Sequence, residues 1–245
     1  MMRYELEVIA FDIDSCQMAQ VAGANRIELC ANPMEGGTTP SLGMIKEARS
    51  QVSIQLFPII RPRGGDFLYN ELEFNIMCRD IEACVEAGCD GVVIGLLNKN
   101  GTIDSKRVQK LVDIAGTLEV TFHRAFDRVK DPITSLEEII AIGCKRILTS
   151  GLYQQSIDGI TQLKSLVQHA SDRITIMVGS GVNSTNIHKI ATETGARAFH
   201  SSARTRYGSK MSYHSETMQE DLSTFTINPE EVRNLKNALD QYFQL

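Results

Sequence analysis

The sequence predicts a closed (β/α)8 barrel, the TIM-barrel class, built as one domain over residues 1–245. A phrase recurs four times, each time a glycine, then Ala or Cys, two further residues and an apolar run: Gly23 (GANRIEL), Gly88 (GCDGVVI), Gly143 (GCKRILT) and Gly195 (GARAFHS). Between the copies lie apolar runs of another kind: LEVIAF (6–11), IQLFPII (54–60), LEVTFH (118–123) and TIMVG (175–179). Interleaved, the two sets give eight β-rich segments, each followed by a stretch long enough for a helix, in a chain of 245 residues. Such alternation implies parallel strands joined by crossovers, and eight units in about 250 residues is the size of this barrel. A doubly wound open sheet is the alternative, but no G-x-G-x-x-G opens the first crossover. The two-unit period also favours ring closure, because barrel layers draw side chains from alternate strands.

The strands are expected to start near residues 4, 26, 54, 91, 119, 146, 175 and 198. The first is LEVIAF. The second, RIELCA, follows Gly23, which suits the left-handed position that ends a helix because glycine has no Cβ to clash at positive φ. Ser41 after Pro40 marks the next helix start, IQLFPII is the third strand, and Asn70 precedes the helix beginning ELEFN. Gly88 and Gly143 introduce the fourth and sixth strands, with LEVTFH as the fifth between them. Asp131-Pro132 and Asn228-Pro229 each set a capping side chain before a proline at the first helical position, and Glu230 and Glu231 suit the positive end of the last helix. TIMVG is the seventh strand and the run after Gly195 the eighth. Residues 204–227 then separate strand eight from the last helix, a stretch whose length marks either a lid bearing Arg204, Arg206, Tyr207, Lys210 and His214 or a mobile loop.

Bulk properties exclude several classes. A formal net charge of −5 without a basic run argues against a nucleic-acid partner. No stretch of 18 apolar residues suggests a membrane span, and the apolar run near residue 1 is too short for a signal peptide, so cytoplasm is the expected location. There the six cysteines are expected to be reduced thiols, and none forms C-x-x-C.

Chemistry in this fold sits at the carboxyl ends of the strands. Strand alternation turns Arg26, Glu28 and Cys30 inward and Ile27 and Leu29 outward; in VTFHR it sends Val120 and Phe122 outward and His123 into the mouth. Glu7, Glu28 and His123 are therefore the expected acid/base groups, the competing roles being arginine partners for the carboxylates and a satisfied core histidine for His123. Arg61, Arg63 and Asp66 in IIRPRGGDF, with Arg124, His200, Ser201 and Ser202, are expected to bind substrate. Gly179 and Gly181, followed by Asn183, Ser184 and Thr185 at a helix start, suggest an anion seat. The competing reading for that corner is a plain helix cap.

RIELCA…EGGTTPSLG, PIIRPRGGDF, TFHRAFD, RILTSG and the GSGV…HSSA pair together resemble the CutC family of copper homeostasis proteins, over nearly the whole chain. The resemblance implies a cytosolic TIM barrel, often oligomeric, with a role in cellular copper. It also implies a Cu(I) site made of a cysteine pair at the barrel mouth, since Cu(I) prefers sulfur. One member corresponds to Cys30, but the position of the other is Ile9, so half of the pair is missing. Two functions are therefore expected of this chain: weak Cu(I) binding through Cys30, or acid/base catalysis on a small phosphate or carboxylate metabolite.

Overall fold

The computed structural model describes residues 4–244. Strands β1 (Glu5–Ala10), β2 (Arg26–Leu29), β3 (Gln55–Pro58), β4 (Gly91–Ile94), β5 (Glu119–Phe122), β6 (Arg146–Thr149), β7 (Thr175–Val178) and β8 (Ala198–Ser201) lie parallel in the order 3-2-1-8-7-6-5-4. The two ends of that sheet meet: Ile59 bridges Val93, Ile60 N–H donates to Val93 O at 2.8 Å and Asp90 N–H donates to Leu56 O at 3.2 Å. The ring is closed, as the two-unit repeat implied, and the expected strand starts hold to within one residue.

Helices α1 (Ile13–Ala22), α2 (Leu42–Gln51), α3 (Glu71–Glu86), α4 (Ser105–Ala115), α5 (Pro132–Ile142), α6 (Ile160–Ala170), α7 (Ile187–Thr194) and α8 (Pro229–Phe243) surround it. Gly23, Gly143 and Gly195 are the left-handed caps of α1, α5 and α7, and Gly88 also has positive φ just beyond α3. Asn70 forms a reciprocal capping box with Glu73, while Ser41, Asp131 and Asn228 cap α2, α5 and α8.

Outward residues of the strands, among them Leu6, Val8, Ile27, Leu56, Val92, Val120, Phe122, Ile147 and Phe199, form the main core under the helices. Inside the barrel the apolar content is small. One cluster gathers Cys30, Phe57, Ile59 and Val93, and another Leu148, Met177 and Ala198. The remaining inner positions near the strand starts are charged and paired. Arg26, 1% exposed, donates to Glu5 Oε2 (2.8 Å), Glu7 Oε2 (3.3 Å) and Gln55 Oε1 (3.0 Å). Arg146 donates to Glu119 Oε2 (2.8 Å), and the two guanidiniums lie 4.7 and 5.3 Å from the Phe57 ring centroid. A buried charge is tolerated only with such compensation.

Residues 204–227 are not structureless at their ends, although no regular element lies between residues 208 and 223. The two ends pair antiparallel as β9 (Arg204–Tyr207) and β10 (Thr224–Ile227), because alternating Thr, Tyr and Phe suit a ribbon. Ser15 of α1 lies 3.1 Å from Thr226 through their hydroxyls, and Ile227 is buried. Of this segment, Arg204 lines the barrel mouth.

Candidate functional site

A cavity of about 990 Å³ opens at the carboxyl ends of the strands, with Glu28, Arg61, His123, Arg124 and His200 in its wall. Glu7 lies fully buried beneath it. Strand register brings Glu7 level with His200 on β8, and Glu28 sits one step higher, level with Ile9. His200 Nδ1–H donates to Glu7 Oε1 at 2.7 Å, and the other Glu7 oxygen accepts from Arg26. That bond fixes the imidazole and turns Nε2 toward Glu28 Oε2, 3.8 Å away. One donor atom from each of Glu7, Glu28 and His200 falls within 4.8 Å of the others.

Electrostatics separates the three. Burial by itself would raise the Glu7 carboxyl, but the His200 hydrogen bond and the charges of Arg26, His200 and Arg146 bring it below the usual carboxylate range. Burial pushes Glu28 up, nearby His200 offsets part of this, and Glu7 pushes it further, to about 7. Burial disfavours charged His200, yet the Glu7 bond and the charges of Glu28 and Glu7 outweigh it and leave this imidazole easier to protonate than usual. The cluster thus favours the ionised form of Glu7 and the protonated form of His200, and leaves Glu28 poised between its two states near neutral pH. A carboxyl that titrates at the working pH can both take and give a proton.

His123 shifts in the opposite direction. Burial foremost, and the charges of Arg61 and Arg124, hold its pKa at about 3, against a small upward pull from its backbone hydrogen bond. The ring is neutral, with Nδ1 accepting from Ala125 N–H at 3.0 Å.

The arginines divide as well. Arg61 is 5% exposed, donates to the carbonyls of Glu35 and Gly37 (both 2.7 Å) and Gly65 (2.9 Å), and among the described residues makes no ion pair. Among the described residues no carboxylate pairs with this charge at the cavity wall. Arg63 is spent on its own loop, donating to Glu73 Oε1 (2.5 Å), Asp66 Oδ1 (3.0 Å) and the carbonyls of Gly64 and Leu68 (3.0 and 2.8 Å). The pair Arg63–Asp66 is therefore a loop brace rather than a clamp, although Asp66 reaches the cavity rim. Arg124 lines the cavity while bound to Asp127 Oδ2 (2.7 Å) and Ser150 Oγ (3.0 Å).

At the expected anion seat after β7 the free N–H groups have partners within the chain. Glu231 of α8 accepts from Ser184 N–H (2.7 Å) and Ser184 Oγ (2.8 Å), and Asn186 and Asn183 side chains take the N–H groups of Asn183 and Thr185. A carboxylate of the chain itself thus occupies the turn that leads into α7. Ser180 and Gly181 still line the cavity. Gly179 leaves room for Leu148 and His200, whose atoms would lie 2.5 and 3.3 Å from a Cβ there. Ser202 faces the cavity, whereas Ser201 is buried and donates to Val182 O at 2.7 Å.

Two site features were not recognised from sequence. His200 was grouped with ligand-binding residues instead of with Glu7 and Glu28; the parity of AFHS turns it inward, but only the register sets it opposite Glu7. Asp127, at the end of TFHRAFD, accepts from Thr149 Oγ1 (2.5 Å), Ser150 N–H and Oγ (3.0 and 2.9 Å) and Leu152 N–H (3.2 Å), tying the loops after β5 and β6 together.

Residues 4–205 match the model of the CutC family. This chain belongs to the CutC family. A family protein CutC from Bacteroides thetaiotaomicron is 50% identical over 219 residues, 89% of this chain and 88% of that one. Another from Chromobacterium violaceum is 43% identical over 242 residues, 96% of this chain and 98% of its own. A candidate copper homeostasis protein CutC from Streptococcus agalactiae has a solved structure with a TM-score of 0.77 and 39% identity, covering 80% of this chain and 97% of its own. A thiamine phosphate pyrophosphorylase from Pyrococcus furiosus, 14% identical with a TM-score of 0.61, shares the fold alone.

The family name raises copper, and the donors can be compared with what Cu(I) requires. Burial above all, with the charges of Glu28 and Glu7, pushes the Cys30 thiol well above its usual value, so it is a protonated thiol rather than a thiolate. Ile9 packs against it, and the other five cysteines lie elsewhere, buried. The donors gathered at the cavity floor are oxygen and nitrogen. This set does not suit Cu(I).

Proposed function

We propose that the chain is an enzyme that moves protons on a small anionic metabolite. Glu28 and His200 exchange protons with the substrate, Glu7 holds His200 in orientation, and the unpaired Arg61 charge attracts the anionic group. The observation that carries this reading is a carboxyl held at about 7 in the wall of a cavity that also contains an unpaired, buried arginine. The matching experiment is a thermal-shift screen of sugar phosphates and small carboxylates. An anion at 100 times its Kd should stabilise the protein by about 2.7 kcal/mol. Conversion of the best ligand, followed by NMR, should be abolished in Glu28→Gln. A screen in which no anion raises the midpoint overturns the proposal.

Copper handling through Cys30 is the second reading, supported by the family name and by the position of this sulfur inside the barrel next to Glu28. A Cu(I) competition titration on wild type and Cys30→Ser separates the two: equal affinities eliminate the copper role. The six free thiols fit a reducing, cytoplasmic location, and no helix among the described residues is long and apolar enough to cross a membrane. Exposed Met211, Tyr213, Met218 and Leu222 between β9 and β10 favour a homo-oligomer, to be checked by light scattering.

A further inference from the structure

Two residues of the cavity wall each hold a buried polar atom without a hydrogen-bond partner, Arg61 at Nε and His123 at Nε2, and only the second belongs to a neutral group. His123 closes β5, is 4% exposed, and its Nε2 is buried without a hydrogen bond. Because Nδ1 accepts the Ala125 N–H, the single ring proton of the neutral imidazole resides on Nε2. The ring is also held firmly. Phe67 lies 4.9 Å away, centroid to centroid, and Gly95 makes space for the other edge, since a Cβ at that position would fall 2.2 Å from Cε1 and 2.3 Å from Nδ1. With Nδ1 and Cε1 against Gly95, the ring lines the cavity wall and keeps Nε2 closed off from bulk solvent. A rigid, neutral, unpartnered N–H donor in a water-poor wall is suited to receive an oxygen on which negative charge develops during reaction. A carboxylate or phosphate oxygen that is already charged has Arg61, which has no carboxylate partner among the described residues, available instead.

We propose that the substrate carries a carbonyl group, that His123 Nε2–H binds its oxygen, and that Glu28 removes a proton from the carbon next to it. This inference rests on the acid/base reading above and adds the substrate class. In the step, the Glu28 carboxylate forms an O–H bond as the C–H bond breaks. That electron pair becomes a carbon–carbon double bond, and the carbonyl π pair moves onto oxygen, giving an enolate held by His123. Return of a proton from Glu28 or from the His200 imidazolium to the same carbon yields an epimer; delivery to the former carbonyl carbon, with the α-hydroxyl proton passing to the oxygen held by His123 as the new carbonyl forms, yields an isomer. No electrons are gained or lost, and no co-reactant is required. The substrates are small α-hydroxy carbonyl compounds bearing a phosphate or carboxylate.

The test uses two probes, 2-phosphoglycolate, a planar mimic of a phosphorylated enediolate, and glycerol 3-phosphate, a phosphate of similar size with no trigonal carbon. Calorimetry on the full chain should give tighter binding of 2-phosphoglycolate. His123→Ala should weaken that binding about tenfold, the effect of one hydrogen bond, and leave glycerol 3-phosphate within about twofold. His123→Gln, which keeps a neutral N–H, should recover part of the loss. Should His123→Ala fail to fold, the wild type still decides: in the ¹⁵N-histidine spectrum the His123 Nε2 proton should move downfield with 2-phosphoglycolate and stay in place with glycerol 3-phosphate. Equal binding of both probes with an unmoved His123 proton removes the carbonyl inference and leaves the anion-directed acid/base site standing. Binding of neither probe overturns this inference, while the wider screen of anions decides the proposed function separately.

Discussion

Glu28→Gln isolates the group on which the chemistry depends. The substitution keeps the side chain's shape and removes its titration. Burial foremost, with the Glu7 charge added and His200 opposing, holds this carboxyl at about 7 in the folded protein against 4.5 as an ordinary glutamate. Between those values the unfolded chain has released the proton while the folded chain retains it. Stability that is complete below 4.5 is therefore lost progressively as the pH rises through 7. The interval of about 2.5, at 1.36 kcal/mol for each pH unit, amounts to roughly 3 kcal/mol. The Glu7–His200 pair is present in both proteins and cancels to first order. Chemical denaturation of both proteins from pH 4.5 to 8.5 should show nearly equal stability at the acid end. At pH 8 the variant should be more stable by about 3 kcal/mol, or roughly 6–12 °C in Tm for a chain of this size. Parallel stability curves across that range would refute the placement of Glu28 as a buried carboxyl beside Glu7.

Two further substitutions probe the scaffold beneath and beside the site. Arg26→Met leaves Glu5 and Glu7 without their shared guanidinium and should cost about 3–5 kcal/mol at pH 7 by urea denaturation. Glu7 is held below the usual carboxylate range, so its contribution is present above about 4.5 and disappears as pH falls through its lowered folded value. The deficit of the variant should shrink in the same direction, and a loss independent of pH would contradict the pairing. Gly95→Ala places a methyl 2.2 Å from His123 Cε1 and 2.9 Å from Ala125 Cβ, so the ring has to shift. Denaturation should show a loss of about 1–3 kcal/mol and the His123 ¹⁵N signals should move; an unchanged spectrum would show that the ring does not rest against this strand.

Much of the barrel is legible in local sequence. The glycines at 23, 88, 143 and 195 and the caps at 41, 70, 131 and 228 have the expected conformations because each depends on neighbours a few residues away. Inward and outward sorting of Glu28, Cys30, Val120 and Phe122 holds for the same reason, strand parity being a property of consecutive residues. Residue type suggested what could act at the mouth, but Arg63 and Arg61 look alike in PIIRPRGGDF and differ only in what surrounds them. Arg63 finds Glu73 on α3 and becomes a brace, while Arg61 finds only carbonyl oxygens and keeps its charge available. The partner of Ser184 was not legible because Glu231 arrives from 47 residues away.

From its order of residues alone, this chain determines a closed ring of parallel strands, the family to which it belongs, and the set of ionisable side chains that face the inside. Only the tertiary structure decides what state each of them is in. Glu7 meets His200 across 193 residues of sequence, Glu28 comes to rest beside both, and His123 is enclosed against Gly95 and Phe67. Ionisation depends on distance between charges and on exclusion of water, and neither exists until the ring has closed.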